Sequence, residues 1–279
     1  MTVDIESTAA VPAEVTAAAA GRDLGAHRET YPAKWNKQAS VGLGIFVALF
    51  GVIAVFATVG ASSSATEEGQ SAAAVASAVL WGITALFLAG FLWILLRSPA
   101  VSKTARGFQV HLFERGWVWV RRKGTEVYRF DEVQTLFAAI VVVNNSGVTT
   151  TVYDYRITCN DGRQTRMRQI HTDMARFGPA LAAQVAQAQL PKALSYFDKG
   201  NPVAFGDLTV TEDGLATKKG KVVPWSQVGG VQVVQGFVSV VDRAGKRVSP
   251  QVSFGQMPNA HTFLLMTETI LAKLRGTEQ

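Results

Sequence analysis

Two basic clusters have the residue types and spacing best suited to chemistry: Arg121-Arg122-Lys123, and Lys218-Lys219 with Lys221. Each follows a short run of alternating residues and adjoins a glycine, Gly124 or Gly220, so each is expected on a turn. Cations grouped in this way attract an anionic leaflet, worth about 1 kcal/mol for each Lys or Arg near the surface. Arg121, Arg122, Lys123, Lys218, Lys219 and Lys221 are therefore the expected lipid-contacting residues, with attraction to the anionic surface favoured over a dedicated headgroup pocket. Arg163, Arg166 and Arg168 alternate along one strand face, and Arg243, Lys246 and Arg247 flank a further hairpin. Nucleic acid is not expected as a partner. Trp117 and Trp119 lie in an alternating run that places them in a sheet rather than against bases.

Other reactive residue types are sparse. No phosphate loop, dinucleotide fingerprint or paired zinc ligands occur, and GLGIF (42–46) falls inside an apolar run. Asp131 and Glu132 are strand neighbours that would point to opposite faces. Of His27, His111, His171 and His261, the last two fall at the starts of two helical segments, a position that suits capping as well as ligation. Cys159, the single cysteine, alternates with Tyr155 and Ile157 and is expected as a buried strand thiol. No catalytic residue, cofactor or metal ligand is assigned. The alternative is a membrane-associated enzyme whose site lies between two folded units and escapes motif recognition.

The elements that would position the basic turns begin with two apolar stretches, 40–61 and 72–96, free of charge until Arg97. At 1.5 Å per residue each is long enough for a hydrocarbon core of about 30 Å. Arg22, Arg28, Lys34 and Lys37 precede the first; Arg97, Lys103 and Arg106 end or follow the second; the loop between has Glu67 and Glu68 and no cation. A multi-pass cell membrane location is thus expected, with two spans and both termini cytoplasmic. Tyr31, Trp35 and Trp93 suit the interface, and Trp81 suits packing on the partner helix. Gly42, Gly44, Gly51, Ala85, Ala89 and Gly90 permit close helix approach. Neither stretch holds an ionisable residue, which argues against transport. From Arg97 onward there are 23 Lys and Arg against 14 Asp and Glu, so a basic portion follows a slightly acidic one.

Residues 1–22 are Ala-rich without an amphipathic stripe and are expected to be a disordered tail, with 23–39 a juxtamembrane segment, 62–71 a short extracytoplasmic loop, and folded units at 103–195 and 203–275. Within these, short alternating strands (108–113, 116–121, 126–130, 135–143, 149–159, 163–170) precede a helical period over 172–190 stopped by Pro191. After a linker at 196–202 the order recurs: DLTVT, GLATKK, KVVPW, VGGVQVV, GFVSVVD, KRVSPQVSF and a helix over 259–274. Gly116 matches Gly214, Gly124 matches Gly220, and FDEV (130–133) matches WSQV (225–228).

This order, with its aromatic-polar-polar-Val phrase, resembles bacterial pleckstrin-homology-like (PH-like) domains. The whole chain is similar to an uncharacterised family of actinobacterial membrane proteins with two spans and tandem PH-like units. The resemblance implies an α+β fold: a two-helix transmembrane hairpin followed by tandem small β-sandwich or barrel units, each closed by a C-terminal helix. It also implies a bacterial cell membrane location and a non-enzymatic, membrane-anchored binding or scaffold module in the cytoplasm, with anionic lipid, a protein partner or a second copy of the chain as targets.

Overall fold

The structure is a computed structural model, described over residues 11–32, 37–63, 67–97, 109–121, 124–145, 148–168 and 172–277. It separates into two compact units: a helical one, Ala33–Phe108, and one built from the chain before and after it. The second of these is α+β. Its first sheet runs β1 (His27–Pro32), β2 (Gln109–Phe113), β3 (Gly116–Arg121) and β4 (Gly124–Arg129), all antiparallel. A 3-10 turn, Phe130–Glu132, leads into the sheet β5 (Val133–Asn145), β6 (Val148–Cys159) and β7 (Gln164–Arg168), and then into α4 (Met174–Phe197). The same order of elements follows: β8 (Val203–Phe205), β9 (Leu208–Thr211), β10 (Gly214–Thr217) and β11 (Val222–Pro224); a 3-10 turn at Trp225–Gln227; β12 (Gly230–Val234), β13 (Phe237–Val241) and β14 (Val252–Ser253); and α5 (Ala260–Thr277).

The expected sandwich or barrel units are not what forms. The strands make four separate antiparallel sheets, none closed on itself. The cause lies in the repeated phrase: Phe130-Asp131-Glu132 and Trp225-Ser226-Gln227 coil into 3-10 turns, so β4 and β5, and likewise β11 and β12, belong to different sheets. Each pair of sheets still shares one core with a helix. Trp117, Tyr128, Ile157, Met167, Phe177 and Leu181 pack in the first, and Leu208, Val210, Leu215, Val240, Phe263 and Met266 in the second. Trp117 stacks on Tyr128 with ring centroids 4.8 Å apart.

The N-terminal segment also departs from expectation. Residues 13–20 form a helix, α1 (Ala13–Ala20), whose Val15 and Ala19 are buried against Phe113 and Val118, with Val11 beside them. Val11, Val15 and Ala19 recur every four residues, a stripe too narrow and small to register as amphipathic but wide enough to seat on a sheet. The segment expected beside the membrane becomes β1, and its Tyr31 is buried in the first core. Pro191 does not stop α4. The helix continues to Phe197 because Leu190, Ala193, Leu194 and Phe197 pack on the second core, which offsets the lost N–H bond and the ring clash that an interior proline brings.

In the helical unit, α2 (Lys37–Ser63) packs on α3 (Glu67–Arg97): Phe46 and Phe50 stack on Phe87, Gly44 faces Phe91, and Trp81 Nε1 donates to Thr58 Oγ1 at 3.1 Å. The two-helix transmembrane hairpin is nevertheless corrected. Among the described residues one helix is long and apolar enough to cross a membrane, Ala74–Ile94, and a shorter apolar stretch covers Gly44–Phe56. Lys34, Trp35, Lys103 and Arg106, on which the orientation rested, lie outside the described residues.

The paired glycines of the repeated phrase have one structural explanation. A Cβ on Gly116 would stand 2.1 Å from the Tyr128 carbonyl oxygen, and one on Gly214 would stand 2.1 Å from that of Val223. In each half the glycine lets the second strand of the hairpin lie directly under the third. Gly116→Ala and Gly214→Ala are each expected to lower the unfolding free energy by roughly 1–3 kcal/mol in urea titrations. A loss at Gly230→Ala as large as at Gly116→Ala would contradict this, since nothing lies within 4 Å of a Cβ at Gly230 and its φ is not positive.

Candidate functional site

The two basic clusters occupy corresponding hairpin turns, β3–β4 and β10–β11. The second is a tight turn in which Thr217 N–H donates to the Lys221 carbonyl at 2.8 Å and Gly220 N–H to the Thr217 carbonyl at 2.8 Å. Gly220 adopts φ +80°, which explains the glycine at this position. Arg122 and Lys123 lie outside the described residues. Arg121 is drawn back over its own sheet: its guanidinium lies 4.4 Å from the centre of the Trp119 ring and donates to Glu126 Oε1 at 2.7 Å. Lys218 approaches Asp207 at 3.4 Å, and Lys221 Nζ donates to the Val248 carbonyl at 3.3 Å. No hydrogen bond or ion pair among the described residues joins the two turns.

Several other arginines are met by carboxylates close by. Arg166 grips Asp154 through both carboxylate oxygens, at 2.5 and 2.7 Å, and holds its carboxyl below the usual range. Arg129 does the same to Asp131, and Arg163 to Asp161. Arg22, from the N-terminal segment, donates to both oxygens of Glu132 at 2.6 Å, clasping the Phe130–Glu132 turn. Exposed pairs of this kind add roughly 0–1 kcal/mol each. Their effect on chemistry is larger, because the acids of the FDEV phrase are already committed to arginines.

One titratable cluster escaped the sequence reading. His27 Nε2 and His111 Nδ1 both hydrogen bond to Thr30 Oγ1, at 3.0 and 2.9 Å, and the two rings lie 5.9 Å apart. His111 is buried, and its Nε2 has no partner among the described residues. Burial first, then His27, pushes its pKa down to about 4, so both rings are neutral at pH 7. The signal was hidden because HRETYP, rich in charge and ending in proline, does not look like a strand. Only β1–β2 pairing sets Thr30 opposite His111.

Across residues 11–275 the chain matches the model of a family of unknown function, DUF6585. The chain belongs to that family. The match begins beside α1 and ends within α5, so in this DUF6585 chain α1, β1, both helices of the helical unit and both halves of the sheet unit all fall inside the matched span. No curated protein and no solved structure gives a match. Family membership, rather than the PH-like resemblance, is what the comparisons show.

Other sequence candidates separate in space or play local parts. His261 packs edge-on against Phe254 at the start of α5, and burial lowers its pKa; His171 lies outside the described residues. Cys159 is buried in β6, and burial raises its thiol pKa, which suits packing rather than nucleophilic attack. An open groove of about 420 Å³ on α4, lined by Pro191, Lys192, Ser195, Tyr196 and Lys199, holds no carboxylate or imidazole.

The buried imidazole gives a pH signature. With a folded pKa near 4 against about 6.5 unfolded, the unfolded chain binds the extra proton first as pH falls. Stability is therefore full above about pH 6.5, declines between 6.5 and 4, and is flat below 4 as far as this group is concerned. His27 and His261 shift in the same direction. Urea titrations at pH 7.5 and 4.5 are expected to show His111→Asn losing less stability than the parent across this window, by up to on the order of 3 kcal/mol. Equal losses in the two proteins would contradict the assignment.

Proposed function

We propose that this DUF6585 chain is a non-enzymatic binding or scaffold module held at a cell membrane, with its basic hairpin turns touching anionic lipid. The observation that carries the reading is α3. Its 74–94 stretch is long and apolar enough to cross a membrane, and its large side chains face outward, with Val75 66%, Leu86 73% and Trp93 62% exposed. A core helix of a soluble domain would bury such residues, and lipid is the environment that removes them from water. The Arg121–Lys123 and Lys218–Lys221 turns add favourable contact with an anionic leaflet. A binding role fits better than catalysis because the acids near these turns are engaged by arginines.

The β1–β2 ladder bears on orientation. Pro32 pairs with Gln109, so the intervening segment leaves and re-enters the sheet unit at one place. Residues 27–32 and 109–113 therefore belong to one sheet. Basic residues favour the cytoplasmic side.

The same pairing supplies the test. Because Pro32 and Gln109 are opposed in an antiparallel pair, an Asn-Gly turn can replace residues 33–108 and leave the sheet unit without its apolar helices. In flotation assays this protein is expected to bind phosphatidylcholine vesicles containing phosphatidylglycerol and not phosphatidylcholine alone. Changing Arg121, Arg122, Lys123, Lys218, Lys219 and Lys221 together to Ala should weaken binding by roughly tenfold or more, at about 1 kcal/mol per cation that reaches the surface. Unchanged binding by the six-fold variant, or equal binding to neutral vesicles, would remove anionic lipid as the target.

A further inference from the structure

The long β5–β6 hairpin has an edge that is covered for half its length and bare for the rest. β5 is the outermost strand of its sheet. Near its start the outer edge is occupied by the second half of the fold: Leu136 N–H donates to Asn259 Oδ1 at 2.8 Å, Asn259 N–H donates to the Leu136 carbonyl at 2.9 Å, and Asn259 Nδ2 donates to the Gln134 carbonyl at 2.9 Å. Gly255 continues the cover, lying so close that a Cβ there would be 3.0 Å from Ala139. There the cover ends. Ile140, Val141, Val142 and Val143 are 45, 53, 65 and 44% exposed.

Leu136 turns both its N–H and its carbonyl outward, and this direction alternates along a strand. Ile140, Val142 and Asn144 therefore turn theirs outward too, away from β6. Natural edges are normally guarded by a charge, a proline or a bulge. Here no charged residue or proline occurs from Gln134 to Tyr153, and the β5–β6 register runs unbroken from Thr135 to Asn145.

We propose that this bare edge pairs antiparallel with the same edge of a second copy of the chain, about a two-fold axis at Val142. The partner is identified by charge and register. An uncharged, β-branched strand offers nothing to select a charged ligand and meets no like-charge repulsion when it faces itself. Pairing centred on Val142 sets Ile140 opposite Asn144 of the second copy and uses only bare residues. An axis moved toward the start of β5 drives the second strand into Gly255 and Asn259. The product is one continuous sheet in the order β7-β6-β5 and, across the axis, β5-β6-β7, with each of Ile140, Val142 and Asn144 exchanging both backbone groups. This goes beyond the lipid reading and stands without it.

The test is sedimentation of the full-length protein in detergent, with and without Val142→Lys and Val142→Pro. The lysines would face each other across the axis. The proline removes an N–H that the β5–β6 ladder does not use, a position where edge strands tolerate it. The parent is expected to be dimeric, and both variants monomeric with unchanged far-UV circular dichroism, the dissociation constant rising roughly 100-fold or more. Val142→Cys should be joined to its counterpart by a short bismaleimide, whereas Lys219→Cys should not. A monomeric parent, a dimer that survives both substitutions, or no crosslink at 142 above that at 219 would overturn the pairing. If a variant loses its circular dichroism, the crosslink alone decides.

Discussion

The five residue pairs that join β1 to β2, from His27 with Phe113 to Pro32 with Gln109, hold together parts of the chain that a whole helical unit separates. Much else rests on that ladder. It sets Tyr31 into the first core against Phe177, where burial raises its hydroxyl pKa and its ring meets the Arg176 guanidinium. It gives the start of α4 a seat, since Thr172 Oγ1 donates to the Tyr31 carbonyl at 2.9 Å and Asp173 N–H to that of Pro32 at 3.2 Å. It lets α1 close the other face of the sheet through Val15, Ala19 and Leu24. Burying a large apolar side chain contributes roughly 1.5–3 kcal/mol. Tyr31 and Leu24 therefore outweigh the exposed ion pairs Arg22–Glu132 and Arg115–Asp23 that decorate the same segment.

A consequence follows for how charge is deployed. The basic surplus after Arg97 suggests a cationic face, yet most described arginines of the first half lie against carboxylates of their own neighbourhood. These pairs fix strand ends and turns. What remains to face a partner is concentrated at hairpin tips: basic at β3–β4 and β10–β11, apolar along the distal part of β5.

Much of the fold was legible in the sequence. Alternation located most strands after Gly107, the three-four period located both helices that follow the sheets, and the recurrence of Gly116 and Gly214 marked the two places where a third strand crosses too closely for a side chain. The failures have physical causes. β1 and α1 were missed because their apolar residues are few and their stability comes from a sheet assembled by distant sequence. The FDEV and WSQV phrases were read as strand entries, but their coiling into 3-10 turns splits the sheets and prevents closure. Pro191 was read as a stop because local propensity says so, while packing of Leu194 and Phe197 carries the helix onward. For the candidate site, the turn holding Lys218–Lys221 is legible in the alternation and its Gly220, and the contacts of Lys218 with Asp207 and of Lys221 with Val248 are not. The His27–Thr30–His111 chain could not be seen without the register.

The ladder between β1 and β2 is most directly examined by hydrogen–deuterium exchange on the full-length protein. Peptides covering 27–32 should be protected to the same degree as those covering 109–121, and 13–20 should follow them. If 27–32 exchanges as fast as an unstructured peptide while 109–121 stays protected, the N-terminal segment is not part of the sheet and the ladder is contradicted.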